Sequence, residues 1–160
     1  MKTFRRLLTV VAASAVIGGG FVVSPAIAEA AESDCAGGVN GFVDISDYLS
    51  GTVVRSKRVS DYDTPAWRPV ELTVQHGNVG DRDRGWAKIE GWTEPYIDEV
   101  WMDVTFDGGQ SWLQCGPFRK MTAENEPVTT AAYPTSPDPN IRFRGCASIG
   151  TNGVECTDWW

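Results

Sequence analysis

Carboxylates are the residues of this sequence whose spacing could most readily do chemistry. Asp98, Glu99, Asp103 and Asp107 lie close together along the chain, and a glycoside hydrolase needs such a pair, one as general acid and the other as base or nucleophile. In 99–106, which reads EVWMDVTF, the acids alternate with apolar residues, and a strand would place them together on one face. We expect that face to be solvated. A carboxylate-based glycan hydrolase is retained as an alternative.

Nucleophilic catalysis and metal binding have few residues available. His76 is the only histidine, and no Gly-x-Ser-x-Gly elbow is present, so a Ser-His-Asp arrangement lacks its usual setting. One histidine with disulfide-bonded cysteines cannot complete a zinc site. The run 81–84 (DRDR) lacks the further oxygen ligands of a calcium loop, which favours a charged turn. We predict no enzyme activity, no metal and no cofactor.

The four cysteines predict two disulfides, because an even count in an exported chain is typical of a disulfide framework. The turn 150–153 (GTNG) separates Cys146 from Cys156 and is typical of a hairpin. A three-residue loop places these two cysteines directly opposite each other, within disulfide range, whereas a two-residue loop would offset them by one. We therefore predict Cys146 with Cys156, which leaves Cys35 to pair with Cys115.

The N-terminus has the features of a secretory signal. Three basic residues precede an apolar run over 7–23, and an Ala-x-Ala site ends at Ala28, which predicts cleavage there, with Ala30 as the alternative. No lipobox precedes Cys35. The predicted organisation is a signal peptide (1–28), a flexible N-terminal leader (29–41) and a single secreted β-domain (42–160) located outside the cell.

The charge of the predicted mature chain limits its partners. Residues 29–160 carry 11 basic and 21 acidic residues, a net charge of −10. Nucleic acids and anionic membranes are bound by clustered Lys and Arg, so neither is expected as a partner. We expect a monomer that binds an extracellular protein or a glycan.

Short runs of alternating apolar and polar residues, bounded by Gly, Pro, Asp and Asn, predict the fold. They indicate an all-β protein, a small antiparallel β-sandwich or barrel with two disulfides. One long connection is expected over Lys120–Asn140, with an edge strand within 127–133. The predicted strands are 52–59, 70–76, 85–92, 99–106, 111–118, 141–148 and 154–160, with a weaker one at 42–46.

The segment 105–112, TFDGGQSW, matches Ser/Thr-x-Asp-x-Gly-x-Ser/Thr-Trp and resembles the Asp box, a hairpin motif repeated in sialidase-type propellers. We predict a structural turn in which Asp107 accepts hydrogen bonds from backbone amides, Gly109 takes a positive φ and Trp112 covers the hairpin. Those propellers carry several copies on a much longer chain. The single motif therefore implies the hairpin and not the enzyme.

The order of the sequence blocks resembles a group of small uncharacterised secreted proteins of actinobacteria. RPVELTVQHGNV, RGWAKI, DEVWMDVTFDGGQSW, RFRGCASIG and VECTDWW correspond to blocks that read approximately PVELRYS, WARI, VWVDRSxDGGRTW, RACG and CTxWW. The resemblance covers 69–160. It departs at Gly85, where that group often has a cysteine before the tryptophan. It implies a fold and a compartment rather than an activity.

Tryptophan is the one compositional excess, with seven residues. Neighbouring strand residues point to opposite faces, so some tryptophans must lie outside the core, where they suit sugar stacking or protein docking. The candidate ligand-binding residues are Trp86, Trp101, Trp159 and Trp160. We predict a secreted, disulfide-stabilised binding protein. The other alternative is a protease inhibitor or toxin-like protein acting through the 120–140 loop.

Overall fold

A computed structural model describes residues 31–61 and 68–160. The predicted signal peptide (1–28) and the first two residues of the predicted leader lie outside the described residues. No helix in the described ranges is long and apolar enough to cross a membrane.

The described chain folds almost entirely into antiparallel strands, which confirms the all-β prediction. Two short 3₁₀ segments, Glu32–Asp34 and Ala36–Gly41, come first. The predicted strand at 42–46 is reduced to one isolated bridge between Val43 and Ala132. The strands are β1 (Thr52–Asp61), β2 (Arg68–Val79), β3 (Arg82–Gly91), β4 (Glu99–Thr105), β5 (Leu113–Arg119), β6 (Val128–Thr129), β7 (Tyr133–Pro134), β8 (Arg142–Ser148) and β9 (Glu155–Cys156).

Two open sheets pack face to face as a sandwich. One has the order β1-β2-β3-β6, with β7 also on β3, and the other has the order β5-β4-β8-β9. Alternate residues of β4, among them Val100 and Met102, enter the shared core, as a period of two requires. A Cβ added to Gly145 of β8 would lie 3.1 Å from Ala87 and 3.2 Å from Leu72, so glycine permits close contact between the sheets.

Both disulfides are present in the predicted pairing. Cys146 lies opposite Cys156 in the β8–β9 ladder, with Cα atoms 4.0 Å apart. The Cys35–Cys115 disulfide attaches the N-terminal 3₁₀ segments to β5, with Cα atoms 5.4 Å apart. Cys35 and Cys115 are fully buried. The flexibility of the 29–41 leader stays a prediction.

The predicted connection over 120–140 contains edge-strand pieces in its middle, as expected, but its central residues are buried, which was not expected. β6 and β7 pair with β3, and residues 130–132 between them are buried. The edge strand expected within this segment thus exists as two short pieces. Small residues without an alternating pattern pack here against the sheet, so the periodicity of the sequence gave little sign of their burial.

The prediction of a solvated acidic face is wrong for Asp103 of β4, and Asp98, which directly precedes β4, is buried as well. Asp98 and Asp103 are each only 1% exposed. Asp98 forms an ion pair with Arg68 at 3.0 Å, and Asp103 forms one with Arg144 at 2.8 Å. Buried carboxylates occur where a cation and hydrogen bonds compensate for lost water, and both arginines come from distant parts of the chain.

Candidate functional site

The four tryptophans predicted as ligand-binding lie in different environments. Trp86 and Trp101 are buried, so neither presents a ring face to solvent. The backbone at Gly51 closes over Trp86, since a Cβ there would lie 2.7 Å from the indole ring. Trp159 and Trp160 are half-buried, and Trp160 stacks on His76 with ring centroids 5.1 Å apart.

Four of the exposed large apolar side chains lie on the two loops at the end of the sandwich where β3 leads into β4. Trp92, Tyr96, Ile97 and Met121 are 56%, 60%, 49% and 52% exposed. The Tyr96 amide donates to the carbonyl of Lys120 at 2.8 Å, and Met121 is the next residue of that second loop. We call these four residues the apolar patch.

Hydrogen bonds join the two loops that carry the apolar patch. The Thr93 hydroxyl donates to the Glu126 carbonyl at 2.6 Å. The Asn125 amide donates to the Thr93 carbonyl at 2.8 Å, and the Trp92 amide donates to the Pro69 carbonyl at 3.1 Å. Backbone groups that are paired in this way hold a loop in one conformation, so the patch is presented by a fixed scaffold.

Asp98 holds in place the loop between β3 and β4, which carries Trp92, Tyr96 and Ile97. Its carboxylate accepts hydrogen bonds from Arg68 Nη1 at 3.0 Å, from the Glu94 amide at 2.7 Å and from the Gly150 amide at 2.9 Å. These donors belong to β2, to the loop itself and to the β8–β9 turn. One buried carboxylate therefore connects the loop to both sheets.

Two residues of these loops have a left-handed backbone although neither is glycine. Tyr96 has φ 65° and Asn125 has φ 60°. Such conformations cost of order 1–3 kcal/mol and persist where the surroundings determine them, often at binding sites. The amides of both residues take part in the hydrogen bonds between the two loops, and these bonds stabilise the left-handed backbone at both positions.

A cleft of about 290 Å³ adjoins the apolar patch at Trp92. Glu94 and Glu124 make part of its lining acidic, and the carboxylate of Glu94 lies 3.5 Å from Arg68 Nε. The cleft thus combines an indole with negative charge. Its lining residues are Arg68, Trp92, Thr93, Glu94, Glu124 and Asn125.

The Asp-box-like turn has the geometry of a structural hairpin. Asp107 Oδ1 accepts hydrogen bonds from the amides of Gln110 and Ser111, both at 2.9 Å, and Gly109 has φ 106°. Hydrogen bonds from Ser111 and Thr105 hold the pKa of Asp107 well below its ordinary value. Trp112 is 48% exposed and packs on the guanidinium of Arg144; that it covers the hairpin stays a prediction.

The residues considered for catalysis have structural partners. His76 Nδ1 lies 2.9 Å from Asp83 Oδ1, and the Thr135 hydroxyl donates to Asp83 at 2.7 Å. Within the described residues, no serine or threonine hydroxyl hydrogen-bonds to His76, and no group of three or more His, Cys, Asp or Glu could hold a metal ion. The charged segment 81–84 forms the β2–β3 turn and the start of β3.

Sequence reasoning missed the apolar patch. The available signal was Pro95 followed by Tyr96 and Ile97 directly after a strand, because apolar residues in a turn-rich segment have no core to enter. No family model, curated protein or solved structure matches the chain. Function is therefore inferred from the geometry of these residues.

Proposed function

We propose that the protein is a secreted binding protein that docks another extracellular protein through the apolar patch. The observation that carries the proposal is the exposure of Trp92, Tyr96, Ile97 and Met121 on two loops locked together by backbone hydrogen bonds. Exposed apolar groups that cluster at one place mark interaction sites. A rigid scaffold reduces the entropy lost on binding.

The composition of the patch favours a protein over a glycan as the partner. Aromatic residues and methionine are enriched at protein interfaces, and tryptophan and tyrosine often dominate the binding energy. Ile97 and Met121 offer no hydrogen bond to sugar hydroxyls. A glycan site would instead need fixed polar groups between the rings.

The acidic cleft beside Trp92 supports a partner that carries a basic side chain at this rim. Glu94 is partly exposed and Glu124 is exposed, and an indole next to carboxylates accommodates the stem and the charge of Lys or Arg. The whole chain carries a formal charge of −7. Complementary charge would increase the association rate with a basic partner.

The carboxylates considered for glycan hydrolysis are held by structural partners, which favours a binding function over catalysis. Asp98, Asp103 and Asp107 are engaged by Arg68, by Arg144 and by turn amides, as described above, and Glu99 pairs with Arg119. In the inhibitor or toxin-like alternative, residues 128–134 of the 120–140 loop could not contact a partner, because they pair with β3 or are buried. The parts of that loop left for contact are the 120–126 segment, which contributes Met121, and the exposed residues 137–140.

Secretion and the kinship with small secreted actinobacterial proteins are parts of the same proposal. Two disulfides support an oxidising compartment, and the Ala-x-Ala site supports export. N-terminal sequencing of protein recovered from the culture medium tests the first part, and we expect a chain that begins at Glu29. A recovered chain that still begins at Met1, or recovery of the protein mainly from the membrane fraction, would contradict export.

The docking proposal is tested with the mature chain, 29–160, immobilised and exposed to secreted proteins, with mass spectrometry of what binds. The test variant is Trp92→Ser with Tyr96→Ser. The control is Val53→Ser with Val154→Ser, which changes two exposed apolar side chains elsewhere. We expect one protein to bind the native chain and the control but not the patch variant. Equal capture by all three, or retention of glycan alone, would refute the proposal.

A further inference from the structure

A second exposed cluster lies on the outer face of the β5-β4-β8-β9 sheet. Arg144 of β8 extends between two indole rings, with its Cζ 4.5 Å from the Trp112 ring centroid and 4.6 Å from that of Trp159. Trp112 belongs to the β4–β5 hairpin, and Trp159 follows β9. The three residues, which we call the Arg144 clamp, come from separate parts of the chain and meet only through the fold.

Asp103 fixes the inner edge of the Arg144 guanidinium. These residues are directly opposite in the β4–β8 register, and Arg144 Nε donates to Asp103 Oδ2 at 2.8 Å. The carboxylate is almost fully buried, whereas the arginine side chain is 23% exposed. The two Nη groups make no hydrogen bond with the described residues. Arginine is thus held by one nitrogen and presents two others toward solvent.

The two indoles of the Arg144 clamp carry further hydrogen-bond donors. The indole Nε1 groups of Trp112 and Trp159 have no hydrogen-bond partner among the described residues, and neither is a buried unsatisfied atom. Asp103 faces inward, and its Oδ1 is buried without a hydrogen-bond partner among the described residues, while Asp107 is bound by its own turn. The Nη groups of Arg144 are therefore the donors that an anion could reach from solvent.

Three arginines lie at or near the clamp in an otherwise acidic protein. Arg142 is exposed on the same face of β8, two residues from Arg144. Arg55 Nε donates to the Trp159 carbonyl at 3.2 Å. The opposing charges are Asp158, which is exposed, Asp103, which offsets the charge of Arg144, and Asp107 in the neighbouring turn. The arginines therefore balance the acids at the outer edge, and the free donors of Arg144 rather than an excess of charge favour an anion.

We propose that the Arg144 clamp binds the carboxylate of an acidic sugar. A planar guanidinium binds a carboxylate through two parallel hydrogen bonds, and the flanking indoles exclude water and strengthen them. A uronic acid carries its carboxylate beside an apolar ring face, which suits the half-exposed indole of Trp112. A peptide carboxylate shares the anion but lacks such a face.

This site is separate from the apolar patch. The apolar patch lies at the start of β4 and the hairpin with Trp112 follows its end, and seven strand residues span roughly 20 Å. The two proposals can therefore fail independently. Trp92→Ser with Tyr96→Ser is expected to leave sugar binding unchanged.

The test is a titration of the mature chain with trigalacturonate, followed by ¹H–¹⁵N NMR of the indole Nε1–H signals. The fully methyl-esterified trisaccharide is the matched neutral ligand. Arg144→Lys keeps the charge but loses the planar fork, and Arg142→Lys is the matched control on the same strand. We expect the signals of Trp112 and Trp159 to shift saturably. Esterification or Arg144→Lys should weaken binding at least about tenfold, whereas Arg142→Lys should change it less than about threefold.

Three results would overturn the proposal: equal binding of the ester, unchanged binding by Arg144→Lys, or no saturable shift up to about 20 mM sugar. Tighter binding of a tripeptide with a free carboxylate than of trigalacturonate would overturn the assignment to a sugar. If Arg144→Lys does not fold, Trp112→Ala, which changes a half-exposed side chain outside the core, takes its place and should weaken binding by a similar factor.

Discussion

Replacing Asp98 with alanine is expected to destabilise the protein more than any change at an exposed ion pair. The carboxylate is buried and accepts hydrogen bonds from Arg68, from the Glu94 amide and from the Gly150 amide. Its removal leaves a buried arginine without this partner and two amides without an acceptor. Alanine also removes the connection between the patch loop and both sheets.

The size of the effect follows from these contacts. Removing one partner of a buried ion pair costs about 3–5 kcal/mol, and an amide that loses its acceptor costs about 1 kcal/mol or more. Since such terms are not additive, we expect a loss of about 5 kcal/mol. For a domain of this size that corresponds to a fall in melting temperature of about 15–20 °C. Asp98→Asn keeps one acceptor oxygen and should cost about half as much.

The assay is urea unfolding followed by tryptophan fluorescence, with Glu99→Ala as the control. Glu99 is the next residue and pairs with Arg119 at the surface, so its loss should cost less than about 1 kcal/mol. Hydrogen exchange at the Tyr96 and Asn125 amides should accelerate in Asp98→Asn if the loop is anchored as described. A loss for Asp98→Ala no larger than that for Glu99→Ala would refute the anchoring role.

Three further predictions concern other parts of the fold. Removal of the Cys35–Cys115 disulfide, which spans 80 residues, should cost about 4.5 kcal/mol, against about 2.7 kcal/mol for Cys146–Cys156, which spans 10; equal losses in urea unfolding would contradict the chain-entropy account. Gly145→Val should cost about 1–3 kcal/mol or more because it forces the sheets apart, whereas Gly153→Ala, with open space around it, should leave the melting temperature nearly unchanged. The lowered pKa of Asp107 means that its contribution to stability is full above about pH 4 and is lost as the pH falls through the pKa of Asp107 in the folded state. The difference in melting temperature between the native chain and Asp107→Ala should therefore be larger at neutral pH than in strong acid. A difference that does not change with pH would argue against a charged acceptor in the turn.

The strands were predictable where apolar residues alternate with polar ones. In 70–76, 85–92 and 99–106 the apolar side chains of alternate positions enter the shared core, and the structure has strands at all three positions. The polar positions between them are largely buried as well, which the alternation did not predict. The pairing of Cys146 with Cys156 was predictable because a short turn fixes the register of the strands that it joins. The segment 154–160 was less predictable, since only Glu155–Cys156 forms a ladder.

The candidate sites were harder to predict because they depend on contacts between distant segments. Trp86 is buried because Gly51 approaches its ring, and 35 positions of sequence separate the two residues. Trp92 lies a few positions further on and is exposed, although the sequence around both is similar in hydropathy. Likewise, nothing local indicates that Asp103 is buried, because its partner Arg144 comes from another strand.

The two candidate surfaces share an organisation that stability alone does not explain. Each rests on a buried carboxylate at or beside β4, Asp98 under the apolar patch and Asp103 under the Arg144 clamp, and each carboxylate pairs with an arginine from another strand. Burying an ion pair generally stabilises a fold no more than apolar residues of similar volume would. Burial raises the pKa of Asp103, which is the mark of a carboxylate whose charge is costly there. We infer that both pairs serve to position the groups above them. Replacing Asp103 and Arg144 together with leucine and methionine should therefore preserve the free energy of unfolding and abolish binding of trigalacturonate, whereas a large loss of stability would show that the pair serves the fold.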